Sequence, residues 1–168
     1  MATAARKRVL VVKIGSSTLT NADGSADANY LRKLASQVAR VRDAGWGVVI
    51  VSSGAIAIGL RKLGIDVRPT DMPTLQAAAS VGQGELAAAY ASAFAEFGVI
   101  TSLVLLTRRD TADRGAYLHA RDTLNRLLEL GIVPVINEND TVSVEQIRFG
   151  DNDTLSALVS CLVEADLD

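Results

Sequence analysis

Four short apolar runs recur along the chain, and stretches with a helical spacing of apolar residues separate them. The runs cover residues 9–14, 48–51, 99–106 and 132–136. Because they are apolar almost throughout instead of alternating with polar residues, they predict strands buried on both faces of a parallel sheet. The pattern therefore indicates an α/β fold, a three-layer αβα sandwich with a mostly parallel sheet covered by helices on both faces.

Helices are predicted between these strands, where apolar spacing and capping residues coincide. They cover about residues 28–44, 55–63, 75–97 and 117–130, and a last helix follows the acidic residues near position 153. Pro69 and Pro73 indicate a loop before the alanine-rich third helix, in which Gly82 and Gly84 are expected to let another element approach closely. The polar segment 108–114 is expected to form a loop.

Composition and charge narrow the class of protein. The 168 residues are enough for one domain with a real core. That core must be mostly aliphatic, since 49% of the residues are hydrophobic but only 4% are aromatic. The formal net charge is −2, and no basic stripe is available to neutralise phosphates. Nucleic-acid binding is therefore not expected.

The single cysteine and the single histidine restrict the possible chemistry. Cys161 cannot form an internal disulfide, which fits a reducing compartment, and its apolar neighbours predict that it is buried. His119 stands alone on a predicted helix, so neither a Ser-His-Asp triad nor a Cys/His metal site is expected. No apolar run reaches the roughly 20 residues that span a membrane, and no signal-peptide pattern is present, so a cytoplasmic protein is expected.

Two rows of polar residues stand at predicted element ends within residues 136–153. The first row, residues 137–140, directly follows a buried strand, and the second, residues 151–153, precedes the last helix. Ligands of parallel sheets bind at the carboxyl ends of strands, and carboxylates with amides could recognise a zwitterion. Turn and capping chemistry is the alternative, and it could account for Asp151 or Asp153 but not for both rows.

Two further strand ends carry candidate chemistry. Lys13 lies inside an apolar run that ends in small residues, an arrangement suited to stabilising a transferring phosphoryl group. The alternative is a lysine that reaches past the strand end to solvent, and a Walker motif is absent. Residues 52–54, Ser-Ser-Gly, open a helix and could form either an anion site or an ordinary helix cap.

Five motifs taken together resemble the glutamate 5-kinases of the amino acid kinase family. They are Val-Val-Lys-Ile-Gly-Ser-Ser at 11–17, Ser-Ser-Gly-Ala-Ile-Ala-Ile-Gly at 52–59, Ala-Arg-Asp-Thr-Leu at 120–124, Ile-Asn-Glu-Asn-Asp at 136–140 and Gly-Asp-Asn-Asp-Thr-Leu-Ser-Ala at 150–157. Each is weak singly, but the set spans nearly the whole chain in the family's order and spacing. Related aspartate, acetylglutamate and nucleotide kinases usually differ in the glycines after the lysine and lack the Asn-Glu-Asn-Asp row.

The resemblance implies transfer of the ATP γ-phosphate to the side-chain carboxylate of L-glutamate, with Mg²⁺, as the first step of proline synthesis. Lys13 would be catalytic and would stabilise the transferring group, with Gly15 and Ser16 beside the ATP phosphates. Asp153 would orient the catalytic lysine, since a carboxylate nucleophile needs no base. The residues implied to bind glutamate are Ser53, Gly54, Ala55, Asn137, Asp140, Asp151 and Asn152. Family members are often inhibited by proline and assemble as dimers or tetramers, so a homo-oligomer is expected.

The resemblance also implies that one half of the kinase domain is missing. Members of the family continue past Ala165 and Asp166 into a strand, a Gly-rich loop and a second lysine that bind ATP. Residues 1–168 are therefore expected to be the N-terminal glutamate-binding lobe, with a sheet that is incomplete at its C-terminus and little activity alone. A non-catalytic amino-acid-binding fragment and a related kinase, such as an acetylglutamate kinase, are the alternatives.

Overall fold

The computed structural model describes residues 8–142 and 152–167, and its centre is a four-stranded sheet. The strands are β1 Val9–Ile14, β2 Gly47–Ser52, β3 Thr101–Leu106 and β4 Val133–Glu138. Their order is β1-β2-β4-β3, and every pairing among them is parallel. The predicted α/β fold with a parallel sheet is confirmed.

Seven helices lie in the part of the chain that the structure describes. They are α1 Ser16–Leu19, α2 Ala28–Asp43, α3 Ala55–Lys62, α4 Met72–Ala95, α5 Arg108–Ala112, α6 Arg114–Glu129 and α7 Asp153–Leu162. Within the same residues, no helix is both long enough and apolar enough to cross a membrane.

Helices cover both faces of the sheet, and the central strand β2 supplies side chains to each. Val48 and Ile50 pack into one core with residues of α2 and α4, whereas Val49 and Val51 pack into a second core with residues of α6 and α7. All six residues of β2 are buried. Burial on both faces is the reason why every residue of this strand is small or apolar, and it produces the three predicted layers.

The sheet reverses its direction of growth between β2 and β4. The chain leaves β2, crosses by α3 and α4 to the distant strand β3, and returns through α6 on the opposite face to place β4 in the gap. Right-handed crossovers require this change of face when the strand order reverses. Ligands of open α/β sheets bind at such a point, beyond the carboxyl ends of the strands.

A short parallel contact lies on the other edge of β1, away from β2. The backbone N–H of Val11 donates to the carbonyl of Leu167 at 2.9 Å, and the N–H of Asp166 donates to the carbonyl of Val9 at 2.8 Å. The Asp166 carboxylate also accepts from the N–H of Val9 at 2.8 Å. Residues 166–167 thus extend the hydrogen bonding of the sheet beyond β1.

Two helix starts differ from the predictions. The segment after β3 that was expected to be a loop contains α5, because Thr107 and Asp110 form a reciprocal capping box. The Thr107 hydroxyl accepts a hydrogen bond from the N–H of Asp110 at 3.2 Å. The Asp110 carboxylate accepts one from the N–H of Thr107 at 2.8 Å. Pro73 lies within the first turn of α4, which Asp71 caps, where proline loses no helical hydrogen bond.

The cap of α7 and the environment of its cysteine also differ from the predictions. The helix begins after Asn152, and Asp153 is its first residue instead of its cap. Cys161, predicted to be buried, is exposed, because its neighbour Leu162 faces the sheet and Cys161 faces away from it. Asp151 lies outside the described residues.

Helices α3 and α4 are in direct backbone contact. A Cβ atom on Gly82 would lie 1.6 Å from the carbonyl oxygen of Ala55, and one on Gly59 would lie 1.8 Å from that of Ala78. The predicted close approach at Gly82 is confirmed, whereas the prediction for Gly84 is wrong, since no described atom lies within 4 Å of a Cβ placed there. The contact fixes α4 beside the first turn of α3.

Candidate functional site

The predicted strand-end residues come together at the carboxyl edge of the sheet. Lys13 is the penultimate residue of β1 and pairs in register with Val51, and Ser52 ends the neighbouring strand β2. Asn137 and Glu138 are the last residues of β4, which lies on the other side of β2. The three candidate stretches therefore occupy adjacent strand ends, at the point where the sheet reverses.

Lys13 forms an ion pair with the first residue of α7. Its Nζ lies 2.8 Å from Oδ1 of Asp153, and the two side chains are 31% and 77% exposed. A carboxylate is favourable in the first turn of a helix because of the helix dipole. An exposed pair of this kind contributes only about 0–1 kcal/mol to stability. The pairing therefore matters more for where the ammonium lies than for holding the fold together.

Three buried polar side chains from β4, the β2 end and the start of α7 form a hydrogen-bonded group. Asn152 Nδ2 donates to Ser53 Oγ at 2.9 Å and to Asn137 Oδ1 at 3.1 Å. It also donates to the carbonyl of Ser52. All of these residues are at most 7% exposed. Buried polar groups at this density must satisfy one another, so the group has a defined geometry.

Helix α4 contributes two polar side chains that sequence reasoning did not identify. Gln83 Oε1 accepts from Asn137 Nδ2 at 3.2 Å, and Gln83 Nε2 donates to the carbonyl of Glu138 at 3.2 Å. Tyr90 Oη lies 3.0 Å from Ser52 Oγ. Burial raises the pKa of the Tyr90 hydroxyl, which stays neutral. The available signal was a glutamine between two glycines in an otherwise alanine-rich helix.

The turn from β2 into α3 leaves the first turn of that helix without a side-chain cap. Gly54 occupies the cap position with φ of 96°, a left-handed conformation that glycine adopts readily. No side chain accepts a hydrogen bond there, so the ordinary serine cap considered for residues 52–54 is not formed. The free N–H groups beginning at Ala55 can therefore bind an anion next to Ser53.

The turn after β1 lies against the turn after β2. A Cβ atom on Gly54 would lie 3.9 Å from the Cα of Ser16 and 3.4 Å from side-chain atoms of Leu19 and Thr20. Gly15 caps the short helix α1, and no described atom lies within 4 Å of a Cβ placed on it. The predicted small-residue turn is thus the start of a helix, with open space above Gly15.

Asp140 follows β4 and is partly buried. Burial and the negative charge of nearby Glu138 raise its pKa to about 6, against the opposing charge of Arg68. Arg68 belongs to the loop between α3 and α4, so that loop lies close to the end of β4. The Asp140 carboxylate is ionised at pH 7, but burial makes its negative charge energetically unfavourable. Such charges are common in binding sites, where a ligand of opposite charge pairs with them.

Replacing Asp140 with asparagine is expected to stabilise the free protein above pH 6. Because the folded pKa of about 6 exceeds the ordinary value of 3.8, Asp140 favours folding fully below about pH 4, and this contribution is lost as the pH rises through 6. Asp140→Asn should raise the free energy of unfolding by about 1–2 kcal/mol at pH 8 and change it little at pH 4. Urea denaturation at both pH values measures the difference.

The exposed Asp122 is the matched control for this substitution. Asp122→Asn removes an aspartate that is 66% exposed and is expected to alter stability little at either pH. A loss of stability at pH 8 in Asp140→Asn, larger than in the control, would contradict the assignment of Asp140 as a destabilising charge.

No cluster of three or more His, Cys, Asp or Glu residues that could hold a metal ion occurs within residues 8–142 and 152–167. Among the described carboxylates of the site, Asp153 pairs with Lys13, whereas Asp140 lies near the charges of Glu138 and Arg68. These residues do not by themselves provide a metal-binding set.

Comparison with known proteins identifies the family of the chain. The Amino acid kinase family matches residues 8–167. A glutamate 5-kinase of Burkholderia mallei (strain SAVP1) is 55% identical over 157 residues, and one of Chromobacterium violaceum is 56% identical over 157 residues. Each match covers 94% of this chain and 42% of the relative, so the chain spans less than half the length of these relatives.

Two solved structures share the fold at low sequence identity. A UMP kinase from Ureaplasma parvum superposes with a TM-score of 0.62 at 18% identity, covering 96% of this chain and 68% of that one. A carbamate kinase from Giardia superposes with a TM-score of 0.64 at 16% identity, covering 98% and 74%. Since the family match extends over almost all of the described sheet and helices, the chain belongs to the amino acid kinase family.

Proposed function

We propose that the protein phosphorylates the side-chain carboxylate of L-glutamate with ATP, producing L-glutamyl 5-phosphate in the first step of proline biosynthesis. The observation that carries the proposal is the placement of the Lys13–Asp153 pair one strand away from the buried Ser53–Asn152–Asn137 group. Support comes also from glutamate 5-kinases at 55% identity. A phosphotransferase needs such a pairing of a fixed cation with a neighbouring acceptor site.

The acceptor site is proposed to bind glutamate through opposite charges on its two sides. The Ser53 hydroxyl and the free N–H groups after Gly54 are donors suited to a carboxylate. Asp140 is suited to binding the substrate ammonium, because burial makes its negative charge unfavourable in the free protein. The ammonium would compensate for the water that burial removes from the carboxylate. Asn137 and Asn152 line the site between them, and Asp151 is included on the resemblance alone.

Transfer is proposed to occur in line between the two sites. A carboxylate oxygen of glutamate forms a bond to the γ-phosphorus of ATP, the bond to the β–γ bridging oxygen breaks, and ADP leaves with that electron pair. The Lys13 ammonium, positioned by Asp153, stabilises the negative charge on the transferring group, and the ATP phosphates lie near Gly15 and Ser16. No general base is needed, because the glutamate side chain is already ionised.

Mg²⁺ is proposed to arrive with ATP. The described residues offer no set of acidic ligands for it, and magnesium commonly binds phosphate oxygens and water with only one or two protein carboxylates. A cytoplasmic location is proposed, since the reaction consumes ATP in amino-acid biosynthesis.

Residues 1–168 are proposed to be the N-terminal lobe that binds glutamate, with the nucleotide bound largely by the remainder of a protein of the relatives' length. Self-association as a dimer or tetramer and inhibition by proline at the glutamate site are further proposals from the resemblance. β3 is an edge strand of the described sheet and only partly buried, which leaves room for an interface there.

The decisive experiment compares substrates in the intact protein. With ATP, L-glutamate should yield an acyl phosphate that hydroxylamine traps, whereas N-acetylglutamate should not react. Preference for the N-blocked substrate would favour an acetylglutamate kinase. Glutamate binding by calorimetry without any turnover in the intact protein would favour a non-catalytic binding module.

Ser53→Ala is expected to weaken L-glutamate binding by roughly 10- to 100-fold, because it removes a hydrogen bond to a charged group. Isothermal titration calorimetry measures the change in the dissociation constant. Ser92→Ala, an exposed serine on the far part of α4, is the matched control and should bind as the wild type does. Equal affinities of the Ser53 and Ser92 variants would exclude Ser53 from the glutamate site.

A further inference from the structure

The main chain of Glu138 determines the direction of a whole series of side-chain hydrogen bonds. Its carbonyl, which can only accept, takes a hydrogen from Gln83 Nε2 at 3.2 Å. Its N–H, which can only donate, gives a hydrogen to Asn137 Oδ1 at 2.9 Å. The two amide side chains are therefore anchored to groups whose polarity cannot reverse.

The contact between the two amides agrees with both anchors. Because Gln83 Nε2 donates to the Glu138 carbonyl, Gln83 presents Oε1 to Asn137. Asn137 must therefore donate through Nδ2, and the Nδ2–Oε1 distance is 3.2 Å. Asn137 Oδ1 is then turned toward the Glu138 N–H and toward Asn152. A reversed Asn137 would place its NH₂ group against two donors, so a single orientation satisfies all three contacts.

This orientation continues to Ser53. The Asn137 oxygen and the Ser52 carbonyl can only accept, so Asn152 presents Nδ2 to both of them. The same atom lies 3.1 Å from Asn137 Oδ1 and 2.9 Å from Ser53 Oγ. Ser53 Oγ thus accepts from Asn152, and its own hydrogen is left to point elsewhere. The Ser53 hydroxyl becomes a donor at the end of β2, next to the free N–H groups of α3.

Gln83 is held where it can start this series. It is 5% exposed and follows Gly82, whose backbone packs against the carbonyl of Ala55 at the beginning of α3. Helix α4 therefore contacts the end of β2 through Gly82 and the end of β4 through Gln83. A displacement of α4 would change both sides of the acceptor site together.

We propose that Gln83 is a positioning residue that, acting through Asn137 and Asn152, orients the Ser53 hydroxyl as a hydrogen-bond donor to an anionic oxygen of the amino-acid substrate. This inference rests on the proposed function, since the substrate is the glutamate assigned above. Gln83 itself touches no substrate. Without it, Asn137 keeps its anchor to the Glu138 N–H but loses the partner of its NH₂ group, so its rotation is no longer restricted from both sides.

The test is a comparison of L-glutamate affinity with thermal stability in the intact protein. Gln83→Met keeps the length of the side chain but removes both hydrogen bonds, and it should raise the dissociation constant for L-glutamate by about 5- to 50-fold. Leu124→Ala, fully buried in α6 on the opposite face of the sheet, should lower the melting temperature at least as much but leave the dissociation constant within about twofold. If Gln83→Met does not unfold cooperatively, Gln83→Leu serves in its place.

A double-mutant cycle separates positioning from packing. In an Asn137→Ala background, Gln83→Met should change the dissociation constant by less than about twofold, because its effect passes through Asn137. Additive effects, or unchanged binding by Gln83→Met alone, would overturn the inference and leave the proposed function standing. Failure of the wild-type protein to bind L-glutamate at all would overturn the proposed function and this inference with it.

Discussion

Gly82→Ala is expected to lower the free energy of unfolding by about 3 kcal/mol or more, which is enough to unfold much of the protein at 37 °C. A Cβ atom at this position would lie 1.6 Å from the carbonyl oxygen of Ala55, far inside van der Waals contact. The obstructing atom belongs to backbone, so it cannot rotate away as a side chain would. Helices α3 and α4 would have to separate along their whole contact, and urea denaturation measures the loss.

Gly84→Ala, two residues further along the same helix, is the matched control. No described atom lies within 4 Å of a Cβ placed there, and alanine is the better helix former by about 0.5–1 kcal/mol. The control should therefore stabilise the protein slightly. Similar behaviour of the two variants would show that helix propensity, and not the contact with α3, governs this part of α4.

The strands were predictable because their environment leaves a simple pattern. Strand β2 is buried on both faces, so every residue from 47 to 52 had to be small or apolar, and the run is visible without any neighbour. The missed helix α5 shows the opposite case. The start of α5 depends on Thr107 and Asp110, whose side chains accept hydrogen bonds from each other's backbone N–H groups. The polar composition of the segment, taken alone, favours a loop and does not show this capping box.

The candidate site was predictable only where chemistry stands directly at a strand end. Lys13, Ser53 and Asn137 each lie at or near the end of an apolar run, and parallel strands bring such ends to one edge. Gln83 and Asn137 are 54 residues apart in the sequence, and a local sequence pattern cannot predict a contact between residues so far apart. The packing of α4, decided by Gly82, is what brings it to the site.

The Gly82–Ala55 contact and the Gln83–Asn137 hydrogen bond both belong to α4, so this helix links the stability of the fold to the binding of the amino acid. The same backbone contact that makes Gly82 intolerant of a side chain also holds α4 where Gln83 reaches Asn137. Small residues in α4 are therefore required by geometry near Gly82 and by nothing described at Gly84. Variants that shift α4 without unfolding it should alter glutamate affinity before they alter the rate of phosphoryl transfer.

Lys13→Met is expected to reduce kcat for acyl phosphate formation in the intact protein by about 10²–10³-fold, with a KM for L-glutamate changed by less than about threefold. The ammonium interacts with charge that develops on the transferring group, so its loss raises the barrier without removing a contact of the bound amino acid. Its side chain lies next to Asp153 and not within the Ser53–Asn152–Asn137 group. Steady-state kinetics with hydroxylamine trapping gives both constants.

Two companion variants decide what the lysine does. Lys62→Met removes another paired lysine, whose Nζ lies 3.1 Å from Glu85 on the surface, and it should leave kcat unchanged. Asp153→Asn retains the ammonium but removes the carboxylate that positions it, so its loss in kcat should be smaller than that of Lys13→Met. A large rise in KM with unchanged kcat in Lys13→Met would instead make the lysine a binding group for the amino acid. The proposed division between a phosphoryl-stabilising β1 end and a glutamate-binding β2–β4 end would then be wrong, because both functions would reside on one side of the site.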